Sequence, residues 1–275
     1  MEVRMAIHPK DFENYTIDTI RKEFLLQNLF MPGKLRLTYT YYDRMIVGGV
    51  CPNKPIPLGA GKEMGTDHFL ARREMGIINV GAKGDVMVDG ETYTLGKTDG
   101  LYVGMGSKKI VFASESRENP ARFYLLSSPA HKEYPTTRMG IDDTEKISLG
   151  SASESNRRIL RKYIHPDGVK SCQLVMGITA LESGSVWNSM PCHTHERRIE
   201  VYFYFDLTDD AVVFHLMGEP DKTRHIVVRN EEAVLSPSWS IHAGAGTSNY
   251  SFIWGMIGEN QVFADMDPVA LAELR

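Results

Sequence analysis

Cysteine is scarce in this chain of 275 residues, with Cys51, Cys172 and Cys192 alone. Three is an odd number, the spacings are wide and no Cys-x-x-Cys occurs, which excludes a disulfide framework and favours reduced thiols in a cytoplasm. Long apolar runs are missing as well. The opening Met1-Glu2-Val3-Arg4 does not begin a basic segment followed by an apolar core, so neither a secretion signal nor a membrane span is expected. Blocks of one charge sign are also absent. With 31 Lys and Arg against 35 Asp and Glu, the net charge is −4, too small and too acidic for a nucleic-acid binder. The length suits one large or two ordinary domains with a substantial core.

What is present reads as strand after strand. Residues 35–42, 77–80, 101–103 and 122–127 carry β patterns, and residues 85–95 form a hairpin around Asp89-Gly90. One helix precedes them. Ile17, Ile20, Phe24 and Leu25 recur at helical spacing within residues 16–28, which Pro32-Gly33 closes. Residues 148–155 are rich in Ser and Gly and follow an acidic stretch, so the domain boundary is drawn at 150. The second half repeats the β scheme over 172–181, 211–216, 225–229, 232–235 and 250–258. Short strands in such number imply an all-β barrel or sandwich in each half.

The chemistry concentrates in His193-Thr194-His195, Glu200 and His242. Residues i and i+2 of a strand share a face, so both imidazoles point one way. Glu200 has the wrong parity for that face, which requires a turn or bulge at Glu196-Arg197-Arg198. Beyond it Glu200, Tyr202, Tyr204 and Asp206 alternate with Val201, Phe203, Phe205 and Leu207. His242 follows Pro237-Ser238-Trp239-Ser240-Ile241 and precedes another strand. Three histidines and a carboxylate suit Zn, Fe, Mn, Co or Ni, and ligand type alone does not choose among them. His215 and His225 lie outside the motif and read as structural.

The spacing His-x-His, four residues, Glu, then Pro followed five residues later by His resembles the two metal motifs of the cupin superfamily. Gly184 lies farther ahead of His193 than the flanking glycine usually does, and Trp239 stands where the second motif has Gly, which marks a divergent branch. The runs 191–205, 237–242 and 258–261, with Asp265-Met266-Asp267, are similar to the 5-dehydro-4-deoxy-D-glucuronate isomerases of bacterial pectin breakdown, nearly along the whole chain. That resemblance implies two cupin-like β-barrel halves: residues 1–150, a short N-terminal helix and a metal-free domain, and residues 151–275, the metal-binding domain. It also implies one Zn per chain, a homohexamer, and interconversion of 4-deoxy-L-threo-5-hexosulose uronate with 3-deoxy-D-glycero-2,5-hexodiulosonate.

Such an isomerisation takes a proton from the carbon beside a carbonyl and returns it to the neighbouring carbon. A cation stabilises the enediolate charge and a positioned base moves the proton; no redox change is needed, so Zn suffices. Asp265 and Asp267 are the preferred free carboxylates, because partial burial raises a carboxyl pKa toward the working range. A surface turn at Asp267-Pro268 is the competing reading, and Glu200 is a base weakened by its metal. Tyr202 faces the side of Glu200, and Trp239 offers an apolar wall. In the basic group Arg157, Arg158, Arg161 and Lys162, the assignment to a substrate carboxylate falls on Arg161 and Lys162, against a charged protective strand edge. Two rivals remain: a metal-dependent dioxygenase, and a non-catalytic sugar-binding barrel.

Overall fold

The computed structural model describes residues 1–275. The chain forms two compact units. The first comprises Met1–Arg4, Asn28–Thr144 and Tyr163–Val175; the second comprises Met5–Gln27, Glu145–Lys162 and Met176–Arg275. Their sequences interleave, unlike a single cut at 150. Residues 148–155 fall within a hairpin of the second unit, because the strand Lys146–Leu149 pairs antiparallel with Arg158–Ile164. The region expected as one helix over 16–28 also differs. Thr16 caps the helix Ile17–Phe24 through Oγ1, which accepts from the Thr19 amide at 3.3 Å. The helix stops there because Leu25 and Leu26 pair with Val234 and Ala233 as an edge strand of the second unit. A four-residue helix, Pro9–Phe12, precedes it.

Each unit is a seven-stranded sheet with a four-stranded sheet, and the strand orders correspond. In the first unit the central run is Ile46–Cys51, Phe123–Pro129, Arg73–Asn79 and Gly100–Val103; in the second it is Val175–Leu181, Ser251–Gly258, Arg198–Phe205 and Glu232–Ser236. The core of the first unit draws on both its sheets, with Ile46, Met75, Ile77, Phe123 and Leu125 meeting Val86, Val88, Ile110 and Phe112. These strands are rich in β-branched and aromatic residues, which fit a pleated surface covered on both faces. The Asp89-Gly90 hairpin forms as expected: both residues have positive φ, 50° and 97°, as a mirror-image two-residue turn requires. No helix is long and apolar enough to cross a membrane. The all-β, two-barrel expectation is met.

Candidate metal centre

The long strand Arg198–Phe205 lies at the middle of the second unit, hydrogen-bonded on one side to Ser251–Gly258 and on the other to Glu232–Ser236. Its register sets Glu200 opposite Ser236 and Met256. Ahead of it, the turn required by strand parity occurs at Glu196 and Arg197, closed by the Arg198 amide donating to the His195 carbonyl at 3.1 Å. That turn brings the His193–Thr194 strand back against the same interior. The short strand Asp267–Pro268 pairs with it from outside. His242 immediately precedes the strand Ala243–Gly246 of the small sheet, and its Nδ1 lies 3.3 Å from Ser236 Oγ.

Four donor atoms converge. His193 Nε2 is 3.2 Å from His195 Nε2 and 3.0 Å from His242 Nε2; Glu200 Oε2 is 2.9 Å from His195 Nε2 and 3.0 Å from His242 Nε2. All four lie within 4.8 Å of one another. Ligands at right angles on bonds of about 2.1 Å sit about 3 Å apart, so this spacing fits a first-row divalent ion. Protonation agrees. His195 Nδ1 faces the Asp265 carbonyl at 2.9 Å, and since a carbonyl only accepts, Nδ1 donates and Nε2 keeps its lone pair. Burial, with His242 beside it, pushes His193 down to about 3, leaving it neutral. Burial works to raise the Glu200 carboxyl, but His242 and His195 outweigh it and hold the group below the usual carboxylate range. One cation between the three imidazoles and the carboxylate would engage all four at once, so the donor set fits a metal. Both contacts of Glu200 use Oε2; Oε1 carries no hydrogen bond.

Three of these side chains, His193, His195 and Glu200, line a cavity of about 330 Å³ together with Tyr202, Arg158 and Trp254 among others. Tyr202 stands where the sequence reading put it, its hydroxyl 2.9 Å from Ser189 Oγ. Burial raises its pKa well above the ordinary phenol, so it is a donor at neutral pH. Trp254 supplies an apolar wall: its Nε1 donates to Thr179 Oγ1 at 3.1 Å, and its ring lies over Gly177, where any side chain would collide with it.

Other expected substrate and proton-moving residues stand elsewhere. Trp239 packs in a tilted contact on Phe12 and edge-on with Phe24, away from the cavity lining. Arg161 is absent from the lining because its strand position has the parity opposite to Arg158 and Leu160, which do line it. Lys162 shares their face, but its Nζ sits 4.6 Å over the Phe263 ring. Arg158 is therefore the cation of the cavity. Its Nη1 donates to the Asn156 carbonyl at 2.9 Å, and burial lowers its pKa. Shared parity with Leu160 was the available signal.

Asp265 and Asp267 are corrected in environment. Arg197 clamps both, with Nε at 2.8 and 2.9 Å from the Asp265 oxygens and Nη2 at 2.9 Å from those of Asp267. This charge-assisted pairing lowers both carboxyl pKa values, the reverse of the rise that suits a base, and neither residue lines the cavity. Their segment instead braces the centre. The Asp265 carbonyl orients His195 and also accepts from buried Arg198 at 2.8 Å. His215 is fully buried and its Nδ1 is 2.7 Å from the Tyr204 hydroxyl, as befits a structural histidine.

A family model described as the KduI/IolB family matches residues 24–271. The chain belongs to that family. It is 59% identical, over the full length of both chains, to a 4-deoxy-L-threo-5-hexosulose-uronate ketol-isomerase of Caldicellulosiruptor bescii. A protein of the same name from Escherichia coli is 51% identical, again over both full lengths. Among solved structures, an IolB-like protein of Salmonella typhimurium aligns at TM-score 0.69 and 13% identity, covering 87% of this chain and 94% of that one. The Ylba protein of E. coli aligns at TM-score 0.59 and 16% identity, covering 90% and 99%. These two share the cupin-like double fold.

Proposed function

We infer that this KduI/IolB-family chain is a ketol-isomerase converting 4-deoxy-L-threo-5-hexosulose uronate to 3-deoxy-D-glycero-2,5-hexodiulosonate in pectin and galacturonate breakdown. The observation that carries the reading is the convergence of His193, His195, Glu200 and His242, three of which line a cavity of sugar size, in a chain that matches ketol-isomerases end to end. We propose that these four residues hold one Zn²⁺ in the second unit, while the first unit is metal-free. A bound Zn²⁺ supplies Lewis-acid stabilisation of the negative charge that develops on oxygen, without redox change.

The chain's own residues do the rest. Arg158 receives the uronate carboxylate, Tyr202 and Ser189 hydrogen-bond sugar oxygens, and Trp254 and Phe252 cover the apolar side and exclude water. Glu200, which lines this space and whose Oε1 is free of hydrogen bonds, moves the proton between adjacent carbons. Asp265 and Asp267 act as positioning residues through Arg197 and the Asp265 carbonyl. The family resemblance supports a cytoplasmic homohexamer. The test is to follow product formation from the hexosulose uronate while recording dissolved oxygen. Conversion without oxygen uptake is expected; oxygen uptake without conversion would move the assignment to a dioxygenase, and neither would leave a binding protein.

A further inference from the structure

Paired arginines stand at the head of both central strands. In the second unit Arg197 is occupied by the carboxylates of Asp265 and Asp267, and buried Arg198 donates to the Val262 and Asp265 carbonyls. In the first unit Arg72 and Arg73 hold the corresponding places before and at the start of Arg73–Asn79. Arg73 repeats the role of Arg198: it is 7% exposed, its Nε donates to Ser127 Oγ at 3.1 Å, and its Nη2 donates to the carbonyls of Ser127 and Arg44 at 2.8 and 2.6 Å. Arg72, unlike Arg197, has no carboxylate; its one hydrogen bond goes from Nη2 to the Gly65 carbonyl at 3.2 Å.

Where the second unit has its acidic segment, the first has a cavity of about 240 Å³ lined by Tyr39, Arg44, Glu63, Thr66, Arg72 and Arg73 among others. Arg44 reaches it from a turn between Lys34–Thr40 and Ile46–Cys51 whose central residues, Asp43 and Arg44, have φ of 45° and 60°. Such turns favour Asn-Gly, and an arginine held left-handed is a strained choice of the kind found at functional positions. Its guanidinium lies 4.6 Å over the Tyr41 ring. None of the three guanidiniums has an acidic partner, and Glu63 lies 3.8 Å from the Met1 amine. Burial lowers the Arg73 pKa to about 10, against the opposing pull of Tyr39 and Glu74. Three guanidiniums thus line one cavity with a single carboxylate, Glu63, which leaves the cleft with an excess of positive charge.

We propose that this cleft of the first unit binds a small polyhydroxy acid, with Arg44 and Arg72 forking its carboxylate and Arg73 Nη1, which has no protein partner, completing the seat. A planar carboxylate matches the guanidinium fork, Tyr39 and Met64 cover a carbon chain, and Glu63 and Thr66 Oγ1, whose own proton goes to the His68 carbonyl, accept from hydroxyls. A volume of this size suits one sugar acid, not a peptide segment.

The test is calorimetric titration of D-gluconate into the full chain, its Arg72→Gln and Arg44→Gly variants, and Arg158→Gln as a control for the other cavity. Both altered side chains in the first unit are exposed, and Arg44→Gly relieves the left-handed strain, so its thermal midpoint should hold or rise. Gluconate affinity should fall at least about 10-fold in Arg72→Gln and in Arg44→Gly and stay within about twofold in Arg158→Gln, as loss of a charge-assisted hydrogen bond predicts. No binding to the wild type, or binding lost only in Arg158→Gln, overturns the proposal. So does a change of assembly mass by light scattering in Arg72→Gln with gluconate binding intact, which would give the seat to a carboxylate of another copy.

Discussion

In the second unit, Glu200 on its central strand lies opposite Ser236; in the first, the register sets Met75 opposite Val103 at the corresponding place. Counting back from each arginine pair, His193 and His195 correspond to His68 and Leu70. Counting six residues past Ser236 and Val103 gives His242 and Lys109. Four metal donors thus have as counterparts one histidine, two apolar side chains and an exposed lysine. Leu70 and Met75 are fully buried members of the first unit's apolar core. One strand plan therefore serves two ends: packed with Leu and Met it contributes burial free energy, and fitted with His and Glu it gathers donors that one cation would engage at once.

Each unit also buries one carboxylate on this strand, and the two are satisfied differently. Glu74 accepts from the Tyr102 hydroxyl at 2.8 Å, Ser128 Oγ at 2.9 Å, and the amides of Cys172, Gln173 and Leu174 at 2.6 to 3.0 Å. Both its oxygens are saturated, which makes it a structural staple. Glu200 engages through Oε2 alone, and the residue lines the cavity.

The comparison breaks first at Glu200. Glu200→Gln should lower isomerisation by more than about 10³-fold and weaken metal retention, since disturbing partners of ligands alone costs about 10- to 100-fold; turnover and metal content of the folded protein check this. The matching change in the first unit, Glu74→Ala, strands two hydroxyls and three amides. It should cost about 4 kcal/mol of stability, read from denaturant midpoints, with metal per folded chain unchanged. Equal metal loss in both variants would erase the division between units.

Smaller effects sharpen it. Arg158→Gln should raise KM about 10- to 100-fold with metal content intact, as expected for removing a charge-assisted hydrogen bond to a carboxylate, while Arg161→Gln should change KM less than about twofold. Asp265→Asn keeps the backbone carbonyl that orients His195 and should alter kcat by only a few-fold, because a solvent-accessible ion pair is screened and contributes little. A loss near that of Glu200→Gln would restore Asp265 as the base.

The cluster of His193, His195, Glu200 and His242 was legible because strand parity and the turn it demanded are local properties, and the turn at Glu196 and Arg197 follows from them. Tyr202 followed from the same alternation. Arg161 turns away from the cavity that Arg158 lines, because alternation states which residues share a face but not which face turns inward; Lys162 shares the face of Arg158, and only packing shows it over the Phe263 ring. Trp239 sits in a loop, where no periodicity applies, and the N-terminal aromatics Phe12 and Phe24 claim it. Asp265 and Asp267 looked free because their partner, Arg197, lies far away in sequence though within the metal motif itself. The helix ended early for a similar reason: a distant strand recruits Leu25 and Leu26.

The most direct test is elemental analysis of the purified protein, paired with the isomerisation assay, for wild type and His195→Ala together. The account predicts one Zn per chain and conversion of the hexosulose uronate in the wild type, and loss of both in the variant. Full conversion by a metal-free His195→Ala protein, or iron with oxygen uptake and no conversion in the wild type, would contradict it.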